Sequence, residues 1–132
     1  MRIVLDTNVL VAALLNPRGV PASILNAILE ENVGLIVDDR ILHEYRYVLQ
    51  RPRFGFPKNT VTALMDFFEH HGEYVAAGPT SEAISDPDDV PFYEVAIAGN
   101  AEYLVTGNAK HFPAVSQVVL PADFIAILRA ND

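Results

Sequence analysis

The chain contains no cysteine. Disulfides, zinc–thiolate centres and thiol nucleophiles are thereby excluded, and any metal must be held by oxygen or imidazole. No apolar run reaches the roughly 18 residues that a bilayer span needs. The start shows no basic segment followed by a signal-type hydrophobic stretch, so no membrane attachment and a cytoplasmic location are expected. Basic residues are scarce: 9 Lys and Arg stand against 17 Asp and Glu, a net charge of −8. That balance disfavours non-specific nucleic-acid binding, in which cations displace counterions from phosphates. It does not bar a nucleic-acid enzyme. Carboxylates gathered around a divalent cation count towards −8, yet the loaded site is locally neutral or positive. There is no internal repeat and no low-complexity segment. A length of 132 residues suits one domain spanning 1–132.

What is present is a series of short apolar runs separated by helical patterns. Ile3-Val4-Leu5 reads as a buried strand, followed by Asp6-Thr7-Asn8 and, after a turn over 16–21, by a helix over 22–32 with apolar residues at 24, 25, 28 and 29. Leu35-Ile36-Val37 is a second strand. Asp38-Asp39 then caps a helix from Arg40 to about Arg51, which Pro52 ends. A helix over 59–71 stops at Gly72, Tyr74-Val75-Ala76 forms a weaker strand, and 78–89 is a polar loop. Phe92, Val95, Ala96 and Gly99 mark a helix over 91–100 whose small residues suit close packing on a sheet. Strands at 103–105 and 117–120 and a helix over 122–129 complete the chain. Strands alternating with helices imply βαβ crossovers, hence an α/β fold with a mostly parallel sheet covered on both faces. Strand carboxyl ends then lie on one side, where residues distant in sequence converge.

Each acidic candidate has a structural and a chemical reading. Asp6, Thr7 and Asn8 suit a helix N-cap, but they also follow a buried strand, where side chains enter a ligand crevice. Glu44 borders an apolar stripe made by Ile41 and Val48, which is unusual for an ionised group without a partner. The alternative for Glu44 is an exposed pair with Arg40 one helical turn earlier. Asp89 stands where it caps the next helix, with Asp86 and Asp88 as alternative ligands in the same loop, and Glu94 is either a supporting acid or a solvated residue. Thr106 and Asn108 flank Gly107 as turn residues or as hydrogen-bonding groups for a bound water, phosphate or carboxylate. Carboxylates brought together repel unless cations compensate. A hard, oxygen-loving ion such as Mg²⁺ or Mn²⁺ answers that need with two or three carboxylates. Zinc suits less well, because His70 and His71 are adjacent and His43 and His111 lie far apart in sequence. Arg46, Arg51, Arg53, Lys58 and Lys110 are phosphate-contact candidates or ordinary solvated charges. Phe54-Gly55-Phe56 is either an interface or part of the core.

The ordered set Leu5-Asp6-Thr7-Asn8, Glu44-Tyr45, Asp86-Pro87-Asp88-Asp89 and Leu104-Val105-Thr106-Gly107-Asn108 resembles the PIN-domain family. It is most similar to the VapC-like toxin components of bacterial and archaeal toxin–antitoxin pairs, over essentially the whole chain. The resemblance implies a three-layer α/β/α sandwich on a parallel sheet and a Mg²⁺- or Mn²⁺-dependent endoribonuclease. It also implies a homodimer and a small antitoxin protein that blocks the site. Asp6, Glu44 and Asp89 match the family's first three acidic metal ligands, and their carboxylates are expected to converge on one ion. Thr7, Asn8, Asp86, Glu94, Thr106 and Asn108 would orient ligands, water or substrate. Asn108 stands where the family more commonly has Asp, which weakens the case for a second ion. Two other readings remain open: a catalytically weak PIN-like module that binds RNA or a partner, and an α/β phosphatase or phosphotransfer domain. Against the latter, a phosphoaspartate phosphatase is expected to carry a second Asp where this chain has Asn8.

Overall fold

The computed structural model describes residues 1–131. The first apolar run is strand β1 (Arg2–Leu5), followed by helices α1 (Thr7–Leu15) and α2 (Val20–Leu29). Next come β2 (Gly34–Val37), α3 (Asp39–Leu49), α4 (Lys58–His71) and the two-residue strand β3 (Glu73–Tyr74). The chain continues through α5 (Val90–Ala98), β4 (Tyr103–Val105), β5 (Val118–Val119) and α6 (Pro121–Ala130). Short 3₁₀ turns occupy Pro52–Phe54, Pro87–Asp89 and Ala109–His111. The expected elements are all there, with boundaries moved by a few residues. The largest shift is at the end of α2, which stops at Leu29 rather than at 32; its start moves to Val20 because Pro21 sits in the first turn, where a fixed φ and a missing N–H cost nothing. Among the described residues no single helix is long and apolar enough to cross a membrane.

All strand pairs are parallel, in the order β3-β2-β1-β4-β5. The path runs outward from β1 to β2 to β3, then returns across the sheet through α5 to β4 on the other side of β1. Right-handed crossovers in opposite directions place their helices on opposite faces, which yields the α/β/α layering. They also place the point where strand order reverses beside β1 and β4. In open parallel sheets ligands bind there, outside the strand carboxyl ends.

The central strands are buried on both faces. Ile3, Val4, Leu5, Ile36, Val37, Leu104 and Val105 are each at most 1% exposed, which is why they read as continuous apolar runs rather than as alternation. Gly99 lets α5 approach the sheet, since a Cβ there would stand 2.9 Å from Ile36 Cγ2. Gly72 ends α4 for a similar steric reason, because a Cβ would fall 2.5 Å from the Phe68 carbonyl oxygen. Asp38 caps α3 as expected, its Oδ1 accepting from the Ile41 backbone N–H at 2.9 Å. Phe54 and Phe56 stack on one another, with Phe56 packed against the core, so the aromatic loop is partly tucked in.

One buried polar contact ties the core to the sheet end. Tyr45 on α3 is fully buried between Phe68 and Phe92, and its hydroxyl donates to the Leu5 carbonyl at 2.5 Å. Tyr45→Phe keeps the packing and strands that carbonyl. It is expected to destabilise the fold by about 1–2 kcal/mol, the scale of a buried group left without its partner. A urea melt should show a lower midpoint with an unchanged slope.

Candidate functional site

Asp6 follows β1 and occupies the N-cap position of α1, but its side chain makes no capping hydrogen bond. Its Oδ2 instead accepts from the Thr106 hydroxyl at 2.7 Å, a contact between the ends of β1 and β4. The capping reading is right about position and wrong about what the carboxylate does. Thr106 is fully buried, and its Oγ also accepts from the Asn108 backbone N–H at 3.0 Å, which fixes the hydroxyl's direction. Asn8 Oδ1 accepts from the Gly107 backbone N–H at 3.2 Å, so Asn8 joins the start of α1 to the turn after β4.

Glu44 and Asp89 arrive from other elements. Glu44 lies on α3, half-buried, and its Oε2 accepts from the Thr7 hydroxyl. It does not pair with Arg40, which contacts Asp38 and Glu94 instead. Asp89 ends the 3₁₀ turn before α5, again at a cap position with no capping bond. Its Oδ2 is buried with no hydrogen-bond partner, and His111 Nδ1 stands 3.7 Å away. Asp6, Glu44 and Asp89 line one open cavity of about 390 Å³, together with Thr7, Asn8 and Arg51.

Electrostatics mark these three carboxylates out. Burial pushes the Asp6 carboxyl up to about 6 against the Thr106 hydrogen bond, and the charges of Asp89 and Glu44 add to the rise. Glu44 is also raised, first by burial and then by Asp88 and Asp89, while the Thr7 hydroxyl and Arg51 oppose. Asp89 is raised by burial and by Asp86 and Asp88, with His111 opposing. Buried like charges of this kind are costly without a counter-ion. An all-oxygen donor set with an orphaned buried carboxylate oxygen fits a hard divalent cation. Among the described residues, no three His, Asp or Glu side chains stand close enough to chelate one ion together. The three carboxylates therefore line one cavity but do not converge on a single ion, contrary to the expectation from the family resemblance, because each is held on a different element and Asp6 and Glu44 are turned to Thr106 and Thr7. That arrangement suits an ion of the Mg²⁺ type, which keeps several waters and takes one or two carboxylates directly.

The remaining sequence candidates divide. Asp86 Oδ1 accepts from the Asp88 backbone N–H at 2.9 Å, so Asp86 shapes the 3₁₀ turn that carries Asp89. Glu94 is buried rather than solvated. It accepts from Arg40 Nη1 at 2.7 Å and from the Thr80 backbone N–H at 2.8 Å, which ties α5 to α3 and to the polar loop. Arg40 and Thr80 hold Glu94 below the usual carboxylate range, so its task is anchoring. Asn108 is exposed, and its side chain makes no hydrogen bond among the described residues. Of the phosphate-contact candidates only Arg51 and Arg53 reach the cavity, where they form its outer wall with Phe54 and Val48. Val48 follows Glu44 by one helical turn on α3, whereas Arg51, Arg53 and Phe54 lie past the helix end at Leu49 and reach the wall through the 3₁₀ turn at Pro52–Phe54.

Comparison with known proteins bears on the family and the fold. The PIN domain family matches residues 2–110. An uncharacterized protein of Methanocaldococcus jannaschii, MJ1680, is 28% identical over 111 residues, covering 82% of this chain and 71% of that protein. Among solved structures, that of VapBC2 from Rickettsia felis bound to a DNA fragment from their promoter has a similar fold. The TM-score is 0.57 at 22% identity, over 91% of this chain and 97% of that one. The family match spans every carboxylate of the cavity and both strands that frame it, and the chain belongs to the PIN domain family.

Proposed function

We propose that this PIN domain is a Mg²⁺- or Mn²⁺-dependent endoribonuclease acting as the toxin of a toxin–antitoxin pair. The observation that carries the reading is the buried, unpartnered Oδ2 of Asp89 in a cavity shared with Asp6 and Glu44. Asp6 and Asp89 would hold the cation, with Glu44 acting directly or through water. A bound cation of this kind supplies a water acidified towards neutral pH and polarises the scissile phosphate. Thr106 keeps the Asp6 carboxylate aimed, and Thr7 does the same for Glu44. Asn8 fixes the turn after β4 beside them. Arg51 and Arg53 offer cations to the RNA backbone at the cavity wall.

A small antitoxin protein that covers the site and a homodimeric assembly belong to the same proposal. The structural neighbour from Rickettsia felis, which is a VapBC complex, supports the partner. Family membership sets the phosphatase reading aside. A weak or inactive RNA-binding module remains the second reading, favoured by the exposed, unengaged Asn108.

The test is cleavage of diverse RNAs by protein freed of any partner, with Mg²⁺, with Mn²⁺ and with chelator. Cleavage is expected only with the divalent ions, and it should be lost in Asp6→Ala and reduced in Glu44→Ala. Absence of metal-dependent cleavage in the native chain would sink the nuclease and favour the binding module.

A further inference from the structure

The carboxylate cavity adjoins a second one of about 440 Å³, and the two share Glu44, Val48 and Arg51 as a common wall. The second cavity lies between α3 and the turn that leads into α5, where Pro87, Pro91 and Phe92 face Tyr47. Tyr47 is unlike the chain's core aromatics. It is 65% exposed, and the Arg51 guanidinium carbon stands 5.5 Å from its ring centroid. The cations are also unevenly committed. Arg2, Arg40 and Arg46 are each in ion pairs with carboxylates, whereas Arg51 and Arg53 have none among the described residues. Arg18, Lys58, Lys110 and Arg129 have no ion pair among the described residues either, but of the unpaired cations only Arg51 and Arg53, each lying against an aromatic ring, border the cavity of Asp6, Glu44 and Asp89.

We propose that the second cavity is a subsite for one unpaired RNA base flanking the scissile phosphate, with the base stacked on Tyr47 and Arg51 on the phosphate between the two cavities. The inference rests on the ribonuclease reading and adds where the neighbouring nucleotide goes. A flat aromatic ring beside a guanidinium that no carboxylate holds matches a nucleotide, in which a flat base is attached to an anion. An exposed aromatic serves as a stacking platform for any base, because every base has a π-face. Stacking on it requires a base out of the duplex, so the subsite takes a base only from an unpaired stretch of the RNA. The pairing of Arg51 with Tyr47 in the free protein keeps both at the cavity mouth, where a base can insert against the ring without refolding of α3.

The experiment measures binding of a labelled single-stranded RNA by fluorescence anisotropy with Mg²⁺ present, in an Asp89→Asn background that keeps the RNA intact. Tyr47→Ala should weaken binding about tenfold, the scale of one lost base–aromatic stack, and Tyr47→Phe should restore it. Arg51→Ala should weaken binding and lower the slope of log affinity against log salt by about one. Fully duplex RNA should bind no differently to Tyr47→Ala than to its parent. Unchanged single-strand affinity in Tyr47→Ala overturns the subsite. So does a Phe variant that fails to rescue, or a lack of measurable single-strand binding. The two proposals fail separately. Cleavage by the native chain that ignores Tyr47→Ala removes only the subsite, whereas Tyr47-dependent binding without any cleavage removes only the nuclease.

Discussion

Asp89→Asn is expected to abolish metal-dependent RNA cleavage while leaving the metal-free protein more stable than the native chain. The activity loss follows from the role proposed for the carboxylate in holding the cation. Stabilisation of transition-state charge by a bound cation is worth several kcal/mol. At about 1.4 kcal/mol per decade of rate, its loss corresponds to roughly a thousandfold or more. The stability gain follows from Asp89 Oδ2, which is buried, has no hydrogen-bond partner and has His111 no nearer than 3.7 Å. Burial and the neighbouring Asp86 and Asp88 all resist its ionisation. A neutral amide of the same shape removes that repulsion, though it leaves a polar atom unpaired. The net gain is expected on the order of 1 kcal/mol, or about 3 °C in melting temperature. Added Mg²⁺ should then raise the melting temperature of the native chain and leave the variant unmoved, because only a ligand that binds the folded state stabilises it. A variant that loses activity and stability together would instead make Asp89 a structural residue. One that keeps its activity would end its role as a ligand.

The fold was legible because its determinants are local. Ile3-Val4-Leu5, Leu35-Ile36-Val37 and Leu104-Val105 are buried on both faces, and full burial writes itself as unbroken apolar runs. Asp38, Gly72 and Gly99 act through neighbours on their own or the adjoining element, and the sequence pattern announced each of them. The choice of partner was not legible. Arg40 sits one turn before Glu44, which suggests an intrahelical pair, yet it reaches Glu94, 54 residues away. Glu44 is taken by Thr7, 37 residues earlier. Helical spacing brings two groups within reach, but competition from other elements decides whether they pair. The same holds at the site. That Asp6 would stand at a helix start was readable, whereas its engagement with Thr106, across 100 residues, depends on β1 lying beside β4. The roles of Asp86 and Glu94 as supports of the Asp89 turn and the polar loop likewise required the packed chain.

Asp6→Asn is expected to stabilise the metal-free protein in a pH-dependent way, with the gap opening between pH 4 and pH 7. In the folded chain the Asp6 carboxyl is pushed from 3.8 to about 6, first by burial, with Asp89 and Glu44 adding to it. Between those values the folded state binds more protons at Asp6 than the unfolded state does. Stability at this group therefore falls as pH rises, is unaffected below the unfolded value, and is reduced in full above the folded one. The full cost is about 3 kcal/mol at roughly 1.4 kcal/mol per pH unit of displacement. Glu73 and Glu94 are lowered in the fold and contribute the opposite trend, since their stabilisation is lost in acid. The difference between native and variant cancels those two contributions, because the Glu73 and Glu94 ion pairs are present in both. Asn can still accept from the Thr106 hydroxyl, so the variant removes the charge and keeps the contact. Denaturant melts in chelator at pH 4, 5, 6 and 7.5 should show only a small gap at the first and the full gap at the last. Mg²⁺ at about a hundred times its dissociation constant stabilises the native fold by about 2.7 kcal/mol, which nearly offsets that cost. The gap at pH 7.5 should therefore close when the cation is added to the native chain. A gap that is the same at every pH, or that ignores Mg²⁺, would mean that the cost of burying this charge is not held in readiness for an ion.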